Sequence, residues 1–450
     1  MQNPNTLWIK QPLATLNPAY AGGLVITGNR ITELLASGQS PSVPVDEVFD
    51  ASQHVLLPGL INAHHHFYQT LTRAHPVALN KELFSWLTSL YPVWARLQPE
   101  MVEVSTQIAL AELLLSGCST ASDHHYLFPQ GLEGAIDIQV EQAQRLGVRV
   151  HLTRGSMSLG QEQGGLPPQS TVQREDVIIA DSERLILRHH DSSEGAMVRV
   201  ALAPCSPFSV SSDLMKMSAE LAEQHQVQLH THLAETHDET AFCQKMFGMR
   251  PVDYLESVGW LSNRVWLAHG IHFNDQEIGR LGQAGVGIAH CPSSNMLLAS
   301  GQCPTLDLEA AGCPIGIGVD GSASNDGSNM ITEVRQALLL QRLRYGAQKI
   351  THQKVLDWAT HGSAACLGRD DIGDIAVGKQ ADLAFFRLDD IQFAGAGDPL
   401  AALVLCGAHR ADRMMVAGRW RVTDGAVCGL DVEALKARQR ELAAQLAVGK

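Results

Sequence analysis

Between residues 58 and 374 the chain alternates short apolar runs with longer amphipathic stretches, and this alternation limits the fold more than any other feature. An amphipathic stretch often begins at a residue that favours a helix N-cap, as at Ser211 and Asn274. Strands that alternate with helices are typical of a parallel sheet. We therefore predict an α/β fold, a (β/α)8 TIM-like barrel. The strand candidates are residues 55–61, 119–123, 148–152, 198–203, 228–233, 265–268, 286–289 and 314–319.

Both ends of the chain have a different sequence pattern, which predicts short strands separated by turns. Residues 24–35 predict a hairpin that turns at Gly28-Asn29, and residues 413–422 predict a second that turns at Ala417-Gly418. The simplest packing pairs the two ends in one small β-sandwich. We predict its first part at 1–57, the barrel at 58–374, and its second part at 375–450 with a C-terminal helix over 431–448.

Size and charge narrow the class of protein. A chain of 450 residues suits one large barrel with an accessory domain. The net charge of -14, without a Lys/Arg stripe, argues against a nucleic-acid partner. No signal-like segment opens the chain at Met1, and no run approaches the roughly 18 apolar residues of a membrane span. Nine scattered cysteines without a CxxC pair indicate reduced thiols, so we expect a cytoplasmic protein.

Three consecutive histidines follow the first strand candidate, in Pro58-Gly59-Leu60-Ile61-Asn62-Ala63-His64-His65-His66. Residues two apart in a strand point to the same side, so His64 and His66 can bind one metal ion while His65 is turned away. In a barrel of this kind, functional groups gather at the carboxyl ends of the strands. The alternative interpretation is a pair of ordinary core or surface histidines.

Polar residues at later strand ends complete a candidate hydrolytic zinc site. His232 is the natural third ligand, and Glu235, three residues on, lies close to a bound water. Asp320 ends a buried strand and is interpreted as the fourth ligand and as an acceptor for the water's proton, although it can also be a helix N-cap. His269 is placed to polarise the hydroxide or the developing oxyanion.

Five motifs, taken together, resemble the amidohydrolase superfamily and its branch of aromatic-ring deaminases and triazine hydrolases. They are Pro-Gly-Leu-Ile-Asn-Ala-His-His-His at 58–66, His-Leu-Ala-Glu at 232–235, Leu-Ala-His-Gly at 267–270, His-Cys-Pro-Ser-Ser-Asn at 290–295 and Gly-Val-Asp-Gly at 318–321. The resemblance implies attack of hydroxide on a ring carbon, with Glu235 carrying a proton to the leaving nitrogen. It also implies one Zn²⁺ per subunit, with Fe²⁺ or another divalent metal as the alternative. Binuclear relatives use a lysine after the fourth strand, and this chain has Ala203-Pro204-Cys205-Ser206 there.

The segment after His66 is the candidate for substrate recognition. Gln69 can read a ring nitrogen or carbonyl through its amide, and Phe67, Tyr68 and Trp86 can stack on a planar heterocycle. The stretches after His66 and between residues 154 and 194 are expected to fold over the pocket.

Within the branch, the resemblance implies a small heterocyclic substrate, with 8-oxoguanine converted to urate and ammonia. Three alternatives stay open: a triazine chlorohydrolase or aminohydrolase, an adenosine or adenosylhomocysteine deaminase, and a non-catalytic binding barrel. We also expect a homo-oligomer that contacts neither nucleic acid nor membrane.

Overall fold

A computed structural model describes residues 5–448. The expectation that no signal-like segment opens the chain concerns Met1 and its neighbours, which lie outside the described residues. The strands are β1 (Thr6–Lys10), β2 (Ala14–Thr15), β3 (Gly23–Thr27), β4 (Arg30–Leu35), β5 (Glu47–Asp50), β6 (His54–Pro58), β7 (Leu60–Asn62), β8 (Cys118–His125), β9 (Arg149–Ser156), β10 (Val198–Pro204), β11 (Leu229–Leu233), β12 (Val265–His269), β13 (Gly287–His290), β14 (Ile315–Ile317), β15 (Leu383–Arg387), β16 (Arg413–Val416), β17 (Arg419–Thr423) and β18 (Ala426–Val427).

The helices lie mainly between the barrel strands and after them. They are α1 (Leu83–Trp94), α2 (Pro99–Leu115), α3 (Ala135–Leu146), α4 (Glu175–His189), α5 (Ser212–His225), α6 (His237–Phe247), α7 (Pro251–Ser257), α8 (Asp275–Ala284), α9 (Pro292–Leu297), α10 (Thr305–Ala311), α11 (Met330–Tyr345), α12 (His352–Asp357), α13 (Ser363–Cys366), α14 (Pro399–Leu405) and α15 (Val432–Val448).

Strands β7 to β14 close into a barrel in which every neighbouring pair is parallel. The closing pair is β14 with β7, through Ile317 and Asn62. The predicted (β/α)8 barrel is therefore confirmed. Parallel strands present all their carboxyl ends at one mouth, so the polar residues that follow them lie around a common axis.

The first strand candidate, residues 55–61, was predicted as one strand but is split at Gly59. Its first half, β6, pairs with β15 and β2 outside the barrel, and only β7 enters the barrel. A Cβ atom on Gly59 would lie 2.4 Å from Ser119 Oγ, so only glycine allows the chain to cross between the two sheets at this point. Both halves are fully buried and apolar, which is why their sequence reads as a single strand.

Two sheets lie beside the barrel; the first contains strands from the N-terminal end alone, and the second combines strands from both ends of the chain. One has the order β4-β3-β1-β5 and the other β18-β17-β16-β15-β6-β2. Both predicted hairpins form, with Thr27 opposite Arg30 and Val416 opposite Arg419. The helix predicted near the C-terminus is α15. The domain limits at residues 57 and 374 stay predictions.

Two expectations from composition concern the described residues as a whole. Over residues 5–448, no helix combines the length and the apolar character needed to cross a bilayer. All nine cysteines are free, and seven of them are buried. The cysteines therefore act as small buried side chains for the most part, as the sequence indicated.

Helix α8 begins at the predicted N-cap, Asn274, and follows the loop that leaves His269. Asn274 accepts a hydrogen bond from the Glu277 N–H at 2.9 Å, and the Glu277 carboxylate accepts one from the Asn274 N–H at 2.8 Å. Asn274→Ala is expected to lower the free energy of unfolding by about 1 kcal/mol in urea denaturation, because one orphan donor loses its partner. Gln276→Ala, at an exposed position of the same turn, should stay within about 0.5 kcal/mol of the parent. Equal losses in the two variants would contradict the capping role.

Candidate active site

The predicted metal ligands meet at the carboxyl-end mouth of the barrel. His64 and His66 follow β7, His232 lies in β11, and Asp320 follows β14. His64 Nε2 and His66 Nε2 lie 3.2 and 3.3 Å from Asp320 Oδ1. His232 Nε2 lies 3.3 Å from His66 Nε2. His65 points away, with its Nε2 2.9 Å from Ser328 Oγ, as the strand alternation predicted.

Hydrogen bonds on the far side of two of the rings show what faces the centre. His66 Nδ1 donates to the carbonyl of His124 at 2.6 Å, and His232 Nδ1 donates to the carbonyl of Cys205 at 2.7 Å. A carbonyl only accepts, so each Nδ1 carries the proton and each Nε2 presents a lone pair. Burial lowers the pKa of His232 well below its usual value, which keeps that ring neutral.

The separations between these nitrogen and oxygen atoms fit tetrahedral coordination of one cation. Two donor atoms, each 2.0–2.1 Å from Zn²⁺ at a tetrahedral angle, lie about 3.3 Å apart. The observed separations of 3.2 to 3.3 Å match that value. His64 Nε2 has no hydrogen-bond partner among the described residues although it is buried. Three imidazole nitrogens and one carboxylate oxygen are a donor set that zinc prefers.

Asp320 is held as an ionised carboxylate. Its Oδ1 accepts the Gly321 N–H at 2.7 Å, and its Oδ2 accepts the hydroxyls of Ser294 and Ser324 at 2.6 and 3.2 Å. Burial alone would raise the pKa of Asp320, but its contacts with His64 and His66 hold that pKa well below the usual range. Asp320 is not a helix N-cap, because the helix that follows, α11, is capped by Asn329.

Three non-glycine residues at the barrel mouth have a left-handed backbone. They are Ala234 (φ +54°), His269 (φ +70°) and Asp320 (φ +61°). This region costs a residue with a Cβ roughly 1 kcal/mol, and such residues cluster at functional sites. The Glu239 carboxylate stabilises one of these turns by accepting the N–H groups of Ala234 and Glu235 at 2.7 and 3.1 Å. The turn at Ala234 immediately precedes Glu235, and the other two left-handed residues are themselves His269 and Asp320.

Glu235 and His269 lie beside the candidate ligands. His269 Nε2 is 3.5 Å from Glu235 Oε2 and 3.8 Å from Asp320 Oδ2, and its Nδ1 is 2.8 Å from Asn295 Oδ1. Burial raises the pKa of Glu235, whose Oε1 accepts the Ser300 hydroxyl at 3.3 Å. Burial would lower the pKa of His269, but the carboxylates of Glu235 and Asp320 raise it above its usual value. Glu235 and His269 are therefore two proton-carrying groups beside the candidate metal ligands.

A cavity opens onto these groups, and both predicted recognition residues line it. Gln69 Oε1 is buried without a partner among the described residues, and Trp86 Nε1 donates to the carbonyl of Ala323 at 3.0 Å. A Cβ atom on Gly321 would lie 1.8 Å from Gln69 Oε1, so glycine at that position makes room for the amide next to Asp320. The lining residues are His66, Gln69, Leu83, Trp86, Leu87, Tyr126, Cys205, Phe208, His232, Glu235, His269, Leu298, Asp320 and Ser324.

Some expectations for the pocket wall were wrong, and some lining residues were missed. Phe67 and Tyr68 are fully buried and lie outside the cavity lining of the described chain. No described residue of 154–194 lines the cavity; that segment reaches the wall through the Leu166 N–H, which donates to Phe208. Tyr126 was missed although it follows the β8 strand end, a position that could have identified it. Leu298 was also missed, and its sequence position after α9 does not indicate that it lines the cavity.

Comparisons with known proteins agree with this geometry. The family model described as "Amidohydrolase family" matches residues 55–421. An 8-oxoguanine deaminase of Pseudomonas aeruginosa is 65% identical over 445 residues, covering 98% of this chain and 99% of that protein. A hydroxydechloroatrazine ethylaminohydrolase of a Pseudomonas species is 38% identical, covering 86% of this chain and 81% of that protein.

One solved structure that this chain resembles contains zinc. It is an atrazine chlorohydrolase of Arthrobacter aurescens complexed with zinc, with a TM-score of 0.91 and 31% identity, covering 97% of this chain and 100% of that one. The likeness therefore extends over the barrel and both flanking sheets.

Proposed function

The chain belongs to the amidohydrolase family, and from that premise we propose that it is a metal-dependent deaminase that hydrolyses 8-oxoguanine to urate and ammonia. The observation that carries the proposal is the convergence of ring nitrogens and the Asp320 carboxylate at separations of 3.2 to 3.3 Å. Glu235 lies beside that point, where a proton carrier is needed. The likeness to the 8-oxoguanine deaminase supports the choice of ring.

We propose one Zn²⁺ per subunit, held by His64, His66, His232 and Asp320. When bound there, the ion supplies Lewis-acid activation of water near neutral pH. The lack of a lysine after β10 supports a single cation, and Cys205 instead uses its carbonyl to orient His232.

Protein side chains carry the protons of the reaction. The two protons of the attacking water balance the reaction: Glu235 passes one to the ring nitrogen, and Asp320 accepts the other, which Glu235 then delivers to the departing amine. His269, whose pKa is raised by the two carboxylates, donates its Nε2–H to the oxygen on which charge develops. One water is consumed and one ammonia leaves, so the exocyclic C–NH₂ group becomes C=O.

The lining of the cavity suits a flat, polar heterocycle. Gln69 offers both a donor and an acceptor to one edge of the ring, and its Oε1 is free of partners among the described residues. Trp86, Phe208 and Leu298 supply apolar surface around it. We propose Gln69, Trp86 and Glu235 as substrate-binding residues.

The second candidate is a triazine hydrolase, favoured by the likeness to the zinc-bound atrazine chlorohydrolase. It would use the same ligands with a different leaving group. A deaminase of adenosine or adenosylhomocysteine is the third candidate, and it would need room for a ribose.

Release of ammonia and of chloride across a substrate panel separates these functions. We expect kcat/KM for 8-oxoguanine to exceed that for adenosine, S-adenosylhomocysteine and chlorotriazines by at least about 10²-fold. The reason is that polar groups of the pocket that pair with 8-oxoguanine would be left unpaired by the other rings. Chloride release from a chlorotriazine at a higher kcat/KM would replace the deaminase assignment. The expected homo-oligomer stays a prediction, which the solution mass tests.

A further inference from the structure

Two more buried histidines lie next to His64, and the proposed reaction does not use them. They are His124 and His230, and one nitrogen of each lies within 4.8 Å of the others and of one nitrogen of His64. Such a group can be a second metal site, or it can be a hydrogen-bonded chain that orients one ligand. The two alternatives require different proton positions.

Backbone contacts settle the proton position on His230. Its Nδ1 is 2.8 Å from the carbonyl of Trp266, and its Nε2 is 2.8 Å from His64 Nδ1. The carbonyl can only accept, so Nδ1 carries the proton. In a neutral ring Nε2 then has the lone pair and accepts the proton of His64 Nδ1.

This proton arrangement leaves the lone pair of His64 on Nε2, the atom that faces Asp320 at 3.2 Å. His66 and His232 reach the same arrangement by donating Nδ1–H to backbone carbonyls. His64 differs because its Nδ1 partner is another imidazole, which could donate or accept. Only the contact between His230 and the Trp266 carbonyl removes that ambiguity.

The position of His230 is itself fixed by packing. Its ring stacks on the Trp266 indole with centroids 4.3 Å apart and an interplanar angle of 13°. The indole Nε1 donates to the carbonyl of Ala63 at 3.0 Å, which anchors it beside the chain that leads to His64. A stacked, hydrogen-bonded ring has little freedom to turn.

We infer that His230 is a positioning residue that holds His64 in the tautomer needed for metal binding, and that the three-histidine group is not a second metal site. A second ion there would have to bind His64 Nδ1, which requires that His64 lose its ring proton and bridge two cations. His124 does not disturb this proton arrangement, because its Nε2 donates to the carbonyl of Ala203 at 2.9 Å and its Nδ1 therefore has no proton to donate to His64 or His230. The inference rests on the metal site proposed above.

The test measures zinc affinity by competition with a chelator, without any substrate. His230→Leu is expected to weaken zinc binding about 10- to 100-fold, the usual cost of removing a group that orients a ligand. His230→Gln should stay within a few-fold of the parent, because its amide oxygen reaches the position of Nε2 and can accept the His64 proton. Nitrogen-15 spectra of the metal-free proteins should show His64 protonated on Nδ1 in the parent and in His230→Gln, and mixed tautomers in His230→Leu.

His151→Leu is the matched control. His151 is also a buried barrel histidine against Trp266, with ring centroids 5.3 Å apart, and neither ring nitrogen has a partner among the described residues. Its removal should leave zinc affinity unchanged. If His230→Leu does not fold, His230→Asn replaces it, because the shorter amide cannot reach His64 and should lose affinity where His230→Gln keeps it.

Two results would overturn the inference. Equal zinc affinity in the parent and in folded His230→Leu would remove the positioning role. Two zinc ions per parent chain, with one lost in His230→Leu, would make the histidine group a metal site. A parent chain that binds no zinc at all would instead refute the proposed function, so the two failures are distinguishable.

Discussion

Protein stripped of its metal by a chelator is expected to lose deaminase activity by about 10³-fold or more and to recover it when Zn²⁺ is added. The expected loss corresponds to about 4 kcal/mol of transition-state stabilisation, within the several kcal/mol that a Lewis-acid cation supplies. Without the cation, the Nε2 atoms of His66 and His232 lie 3.3 Å apart with no positive charge beside them, and nothing lowers the pKa of a water bound at the site. Initial rates of ammonia release before and after chelation measure the effect.

Metal content must be measured on the same samples. We expect one metal per active chain and less than about one tenth of that after chelation, with the circular dichroism of the barrel retained because its core is apolar. Chelator with excess Zn²⁺ is the control for damage by the reagent. Full activity in protein shown to be metal-free would exclude the proposed mechanism.

Glu235→Gln is expected to lower kcat by roughly 10²-fold or more while zinc content stays at the level of the parent. The amide has nearly the shape of the carboxylate but cannot carry a proton between the ring nitrogen and the amine. Glu235 Oε2 contacts His269 and not the candidate ligands' Nε2 lone pairs, so the substitution leaves the donor set complete. Steady-state kinetics and metal analysis on one preparation separate the two effects.

Glu220→Gln is the matched substitution away from the site. Glu220 lies at an exposed position of α5, and the same change of charge there should leave kcat and zinc content unaltered. Unchanged turnover in Glu235→Gln would remove this residue from proton transfer. A parallel loss of zinc would instead indicate that Glu235 supports the metal site.

Much of the candidate site could be predicted because it depends on local sequence. His64 and His66 lie two apart beyond a strand, His232 and Glu235 follow another, and Asp320 follows an apolar run. Strand alternation and strand-end position are properties of a few consecutive residues, and a parallel barrel brings all such ends together. Gln69 was predicted to read the ring from its position just after the candidate ligands, and Trp86 as an aromatic residue that can stack. Both line the cavity, and their contact with the ring stays a prediction.

Errors arose where one sequence pattern fits two environments. The apolar run at residues 55–61 has the same character in the sandwich and in the barrel, and only the close approach of Gly59 to Ser119 separates the two halves. Phe67 and Tyr68 are aromatic residues next to the ligands, as a stacking platform would be. Their backbone forms a short 3₁₀ helix that turns both into the core.

The sequence by itself determined the barrel, the order of the candidate ligands along it and the chemical types available for metal binding and proton transfer, because strand periodicity and residue identity are local properties of the chain. Only the tertiary structure decided which atom of each ring faces the centre. That choice depends on acceptors contributed by other strands: the carbonyls of Cys205 and His124, and a His230 ring 166 residues from His64. A backbone carbonyl has the same identity at every residue, so its role as a proton acceptor appears only when the chain has folded.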